Sequence, residues 1–143
     1  MKNTLQTFIL ASYFMLVTQS DAADQDTRVM VDLPDMMKTH MLGNMRDHLQ
    51  ALYEIQAALA KGELDKAGEI AETRIGMSSL ASHNASHMAP FMPKGMQDIG
   101  TAMHHAASRF AMTANEGDLA QALDGLSKVT EQCVACHMNY RVN

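Results

Sequence analysis

The sequence predicts an all-α fold, an antiparallel up-down-up-down four-helix bundle. Three observations carry that prediction. Ala, Leu and Met are plentiful and β-branched runs are scarce, a composition that favours helix over strand. Apolar residues recur at helical spacing through several long segments. Two similar short turns, Gly62-Glu63-Leu64-Asp65 and Gly117-Asp118-Leu119, each join two such segments as a helical hairpin. A length of 143 residues suits one such domain rather than two.

The first stretch reads as separate from the bundle. Lys2 opens it, Phe8 to Val17 is a short apolar run, and Ser20-Asp21-Ala22 presents small residues where a signal peptidase reads. Residues 1–22 are therefore expected to be a signal peptide, cleaved after Ala22 or Ala23, and residues 23–143 the mature domain. The apolar run is short for a bilayer span, a retained N-terminal anchor being the alternative. No cysteine marks the cleavage point, so no lipid anchor is expected.

The first helix is expected from Leu33 to Ala60. Asp32 suits its cap and Pro34 its first turn. Met41, Met45, Leu49, Leu52, Ile55 and Leu59 form its apolar stripe, and Lys61-Gly62 stops it. The second helix is expected from Asp65 to Met88, with a weaker stripe of Ala67, Ile70, Ala71, Met77 and Ala81 interrupted by Gly68 and Gly76. Pro90 and Pro93 break the chain before a third helix from Lys94 to Ala114. Asn115-Glu116-Gly117 turns the chain again. Asp118 caps the fourth helix, with Gln121 as its partner. Leu119, Ala122, Leu126, Val129, Cys133, His137 and Tyr140 share one face of that last helix.

The chemistry concentrates in Cys133-Val134-Ala135-Cys136-His137. Both cysteines of the chain lie in this run. Two positions of separation on a helix suit a disulfide poorly. A thioredoxin-type pair would need a strand before it and a helix after it. The adjacent His137 makes covalent haem attachment the reading: two thiols three positions apart reach the two vinyl groups, and the imidazole reaches the iron. One haem c is expected, on Cys133 and Cys136, with His137 as an axial ligand. In an alternating bundle, the end of the last helix lies beside the start of the first. Topology thus gathers Met37, Met41, Met45, His83, His87, Met88, Met92 and Met96 at the haem end.

In Cys133-x-x-Cys136-His137-x-x-Tyr140-Arg141, and in the Lys61-Gly62 helix end, the chain resembles the cytochrome c-prime family, the class II c-type cytochromes. The resemblance covers the mature chain in layout and the last helix in specific residues. It implies a periplasmic four-helix bundle with the haem on the last helix, and redox partner proteins in the periplasm. Five-coordinate family members bind nitric oxide or carbon monoxide. Low-spin members carry a methionine of the first helix on the iron and transfer electrons. Members are often dimers through their first two helices, which leaves a homodimer open.

Met45, on the stripe of the first helix, is the first choice for the sixth ligand, and Met41 the alternative; a soft thioether stabilises ferrous iron, whereas core packing is the commoner task of a methionine. Arg46 and Arg141 are candidates for pairing with haem propionates, and Tyr140 for the haem surroundings. His83 and His87, four apart on the expected second helix, suit a copper ion, with Met88 and Met92 as soft neighbours. His104 or His105 is the alternative distal ligand. His40 and His48 are expected on the more polar side of the first helix.

Acidic residues outnumber basic ones, 16 to 11, so no basic block invites nucleic acid. No nucleophile–base pair, phosphate-binding loop or paired catalytic carboxylate stands out, so enzymatic turnover is not expected. One-electron transfer through a His/Met haem is the leading expectation. Five-coordinate gas binding and copper handling by the His/Met cluster are the alternatives.

Overall fold

The structure is a computed structural model describing residues 26–143, so the expected signal peptide lies outside the described residues. The fold is predominantly helical, as the composition requires. Strand β1 (Val29–Val31) leads into helix α1 (Asp35–Leu59), followed by α2 (Leu64–Arg74), the single turn α3 (Ala85–Met88), α4 (Lys94–Asn115), α5 (Leu119–Asn139) and strand β2 (Tyr140–Val142). Short 3-10 turns occupy Met77–Ser79 and Ala89–Phe91. Helix α1 packs on α2, α2 on α4, and α4 on α5. Among the described residues no helix is long and apolar enough to cross a membrane.

The two hairpin turns form as their glycines dictate. Gly62 has φ +74° and Gly117 has φ +82°, a left-handed conformation that closes a helix and that glycine adopts without strain. Asp118 caps α5: its carboxylate accepts the Gln121 backbone N–H at 3.0 Å and the Gln121 side-chain amide at 3.1 Å. Its carboxyl is held below the usual carboxylate range, chiefly by that backbone bond.

Elsewhere the chain departs from the sequence pattern. Helix α1 begins at Asp35 with Pro34 in the cap position, and Asp32 accepts instead from the Asn143 amide at 2.8 Å. The buried residues of α1 are Met41, His48, Ala51, Ile55, Ala58 and Leu59, so Met41, Ile55 and Leu59 of the expected stripe are inside, while Met45 is 37% and Leu49 70% exposed. Pattern counting favours the larger apolar residues. The close approach of α2 instead selects the line with alanines, and it takes His48, expected on the polar side, into the interior.

The expected second helix is broken. Gly76 buries its backbone against the preceding turn, and a Cβ there would stand 2.8 Å from the Glu72 carbonyl oxygen. The chain leaves α2 at Arg74 and re-forms an α-helical turn only after Asn84, whose φ is +52°. Arg74 fastens the end of α2 to α1: it donates to Glu54 at 2.6 Å and binds both carboxylate oxygens of Asp47.

Two apolar clusters result. The larger joins α1, α2, α4 and α5 around Ile55, Ile75, Phe110, Leu126 and Val129, with many alanines allowing close helix approach. The smaller gathers Val31, Leu33, Met41, Met88 and Met96. The last helix ends at Asn139 rather than continuing through Tyr140. Residues 140–142 pair in parallel with β1, Val29 opposite Tyr140 and Val31 opposite Val142.

Candidate functional site

Cys133 and Cys136 lie one helical turn apart on the last two turns of α5. Both are free and half-buried. Cys133 packs against the larger apolar cluster, Cys136 against the smaller. Burial pushes both thiols above the ordinary cysteine range, and the neighbouring Cys133 adds to the shift at Cys136. Both are therefore protonated at neutral pH. His137, next in sequence, faces outward and is exposed.

Five methionines belong to or border the cluster that Cys136 packs against. Met41 of α1, Met88 of α3 and Met96 of α4 are buried in the smaller cluster, and Met37 and Met92 pack against its edge. Met41 is 9% exposed. The topology-based gathering of methionines at the end of α5 thus holds for these five. Met45 lies outside the cluster on the exposed side of α1. Arg46 is also exposed, and among the described residues it makes no ion pair.

The two chain segments that flank this end are stitched together. Arg28 donates to the His137 carbonyl oxygen at 3.3 Å and pairs with Asp26 at 2.7 Å. Asp26 also lies 3.3 Å from Arg141 Nε, close enough for an ion pair but not aligned for a hydrogen bond. The Arg28 guanidinium, more than Arg141, pulls the Asp26 carboxyl down to about 2. Tyr140 packs on the smaller cluster and lies over the first turn of α4, where only Gly95 leaves room for its hydroxyl. Arg141 is half-buried beside it. An open cleft of about 490 Å³ lies nearby, lined by Asp35, Met36, Met37, Thr39, His40 and Asn84. None of Cys133, Cys136 and His137 lines it.

His83 and His87 do not share a helix face. His83 precedes the left-handed Asn84 and is buried, whereas His87 lies in α3 and is exposed, with its ring edge toward Phe91. Sequence reasoning missed where His83 goes. It joins His48 of α1 and His104 of α4 in a buried group of imidazoles. Desolvation, then repulsion from His83 and His104, pulls His48 down to about 4; desolvation chiefly lowers His83 as well. A signal for His48 was present: it stands seven residues from both Met41 and Ile55, on one helical line. Its polarity argued against reading that line as buried. His105 is exposed.

Comparison with protein-family models, with curated proteins and with solved structures returns no match.

Proposed function

We propose that this chain is an exported c-type cytochrome that carries one electron at a time between periplasmic proteins. The reading rests on one observation: the two thiols of a C-x-x-C-H run stand half-buried one turn apart, with Cys136 against a cluster of methionines. The donor set fits a covalently held haem, with two thiols for thioether links, one adjacent imidazole and thioethers at the same end of the fold. The resemblance to the cytochrome c-prime family points the same way, and with it the four helices α1, α2, α4 and α5 read as an up-down-up-down bundle.

A bound haem would supply one-electron redox chemistry at its iron. Cys133 and Cys136 would hold it covalently, and the His137 imidazole would ligate the iron. Met41 replaces Met45 as the preferred methionine ligand, because Met41 is the buried methionine of α1 in the cluster that Cys136 packs against. The thioethers of that cluster would keep water out and favour the ferrous form. Tyr140 and Arg141 belong to the same end of the fold.

Optical spectra of the purified holoprotein, oxidised and reduced, with and without carbon monoxide, test this. A low-spin spectrum with the sulfur-to-iron band, little altered by carbon monoxide, is expected. Met41→Ala should convert it to high-spin, and Met45→Ala should leave it unchanged. A wild-type high-spin spectrum that shifts strongly with carbon monoxide would replace electron transfer by gas binding at an open iron.

A further inference from the structure

His48, His83 and His104 come from three different segments and are 6%, 9% and 8% exposed. Their ring centroids lie 4.7 Å (His48–His83), 5.5 Å (His83–His104) and 6.2 Å (His48–His104) apart. As the side chains stand, no three His, Cys, Asp or Glu among the described residues gather their donor atoms as around an ion. Ring spacing is the more telling quantity, because the His48 ring, whose Nε2 has no hydrogen-bond partner, can turn about χ2 and move its nitrogen while its centre stays nearly fixed. Imidazole nitrogens bind first-row dications at about 2.0–2.1 Å, which puts the ring centres of a tetrahedral site about 5 Å from one another. The observed separations bracket that value.

The hydrogen bonds fix which nitrogens are free. The Ile75 carbonyl can only accept, so His104 must donate to it through Nδ1, which leaves the Nε2 lone pair available. The Ser79 hydroxyl donates to the Gly76 carbonyl at 2.7 Å, so His83 Nδ1 donates to Ser79 at 3.2 Å and its Nε2 is likewise unprotonated. Orienting bonds of this kind, from the far nitrogen to a carbonyl or hydroxyl, are the usual support of metal-bound histidine. The position of His83 is held as well: its backbone carbonyl accepts from His40 Nε2 at 2.9 Å and from Asn44 at 3.2 Å. His48 Nε2 is buried with no hydrogen-bond partner. An unpartnered buried nitrogen opposes folding, and an apolar residue at the same position would avoid that cost.

We propose that His48, His83 and His104 form a three-imidazole site for a borderline first-row dication of the zinc class. The donor set is all nitrogen, which suits zinc and its neighbours and excludes calcium and magnesium. A fourth position would be left to water or to an exogenous ligand. The ion would tie α1, the segment after α2, and α4 together. The site shares no residue with Cys133, Cys136 and His137 and does not depend on the haem reading.

Calorimetry with zinc on EDTA-treated, haem-loaded protein is the test, together with zinc-edge X-ray absorption. The expected result is one saturable site with imidazole nitrogens as the protein ligands. His48→Leu removes the unpartnered nitrogen, so it should keep or raise the melting temperature of the metal-free protein while weakening zinc binding at least a hundredfold. His87→Ala and His105→Ala should bind as wild type. Absence of a saturable site in the wild type overturns the proposal. So does a sulfur-dominated absorption spectrum, or binding that survives His48→Leu and is lost in His87→Ala. The wild-type absorption spectrum decides even where His48→Leu does not fold.

Discussion

Single glycines set how near two helices come. A Cβ on Gly68 of α2 would stand 2.9 Å from the Ala111 carbonyl oxygen and 3.0 Å from Asn115 Oδ1 of α4. Both are atoms of the facing helix, so Gly68→Ala must push α2 and α4 apart. A loss of about 1–2 kcal/mol is expected, because overpacking outweighs the gain in helix propensity. Gly100 of α4 has nothing within 4 Å of the same point. Gly100→Ala should therefore stabilise by about 0.5–1 kcal/mol. Urea midpoints of the two variants should move in opposite directions. At this scale the spacing of Cys133 and Cys136 was legible, and the two thiols stand one helical turn apart on α5. His48 and His104 were not legible, because burial of a polar ring depends on partners 21 to 56 positions away, His83 among them.

Helix ends were legible where a local signal acts alone. Gly62, Gly117 and Asp118 each close or open a helix through bonds to residues within five positions. The folded carboxyl of Asp118 sits below its unfolded value, so its contribution is present at neutral pH and is lost as pH falls through the carboxylate range. Asp118→Ala should therefore melt below wild type at pH 7, and the gap should close below about pH 4. Thermal melts of both proteins from pH 7 to pH 3 check the sign. The break at Gly76 was not legible as a break. A lone glycine in a helical pattern is commonly tolerated, and here it is the backbone of Glu72 lying over it that decides. That break frees the Ile75 carbonyl to orient His104. The second-helix expectation therefore failed at the place where the imidazoles assemble.

For the whole molecule, composition sufficed to predict helix, and the two hairpin turns sufficed to set α1 on α2 and α4 on α5. The β1–β2 pair was invisible because three-residue strands carry no usable period, and their pairing is specified by a partner at the other end of the chain. That pairing has a consequence for how the molecule is made. Leu33 N–H reaches the Asn143 side chain across 110 residues, whereas each hairpin closes within a few. Closing so long a loop carries a larger entropic cost and is deferred until intervening helices have shortened the span. Pulsed hydrogen exchange during refolding should show the amides of residues 29–33 and 140–143 gaining protection after those of α4 and α5; simultaneous protection would rule out this order. The latch across the ends closes last, and until it does, Tyr140 and Val142 are not yet seated on the cluster that Cys136 borders.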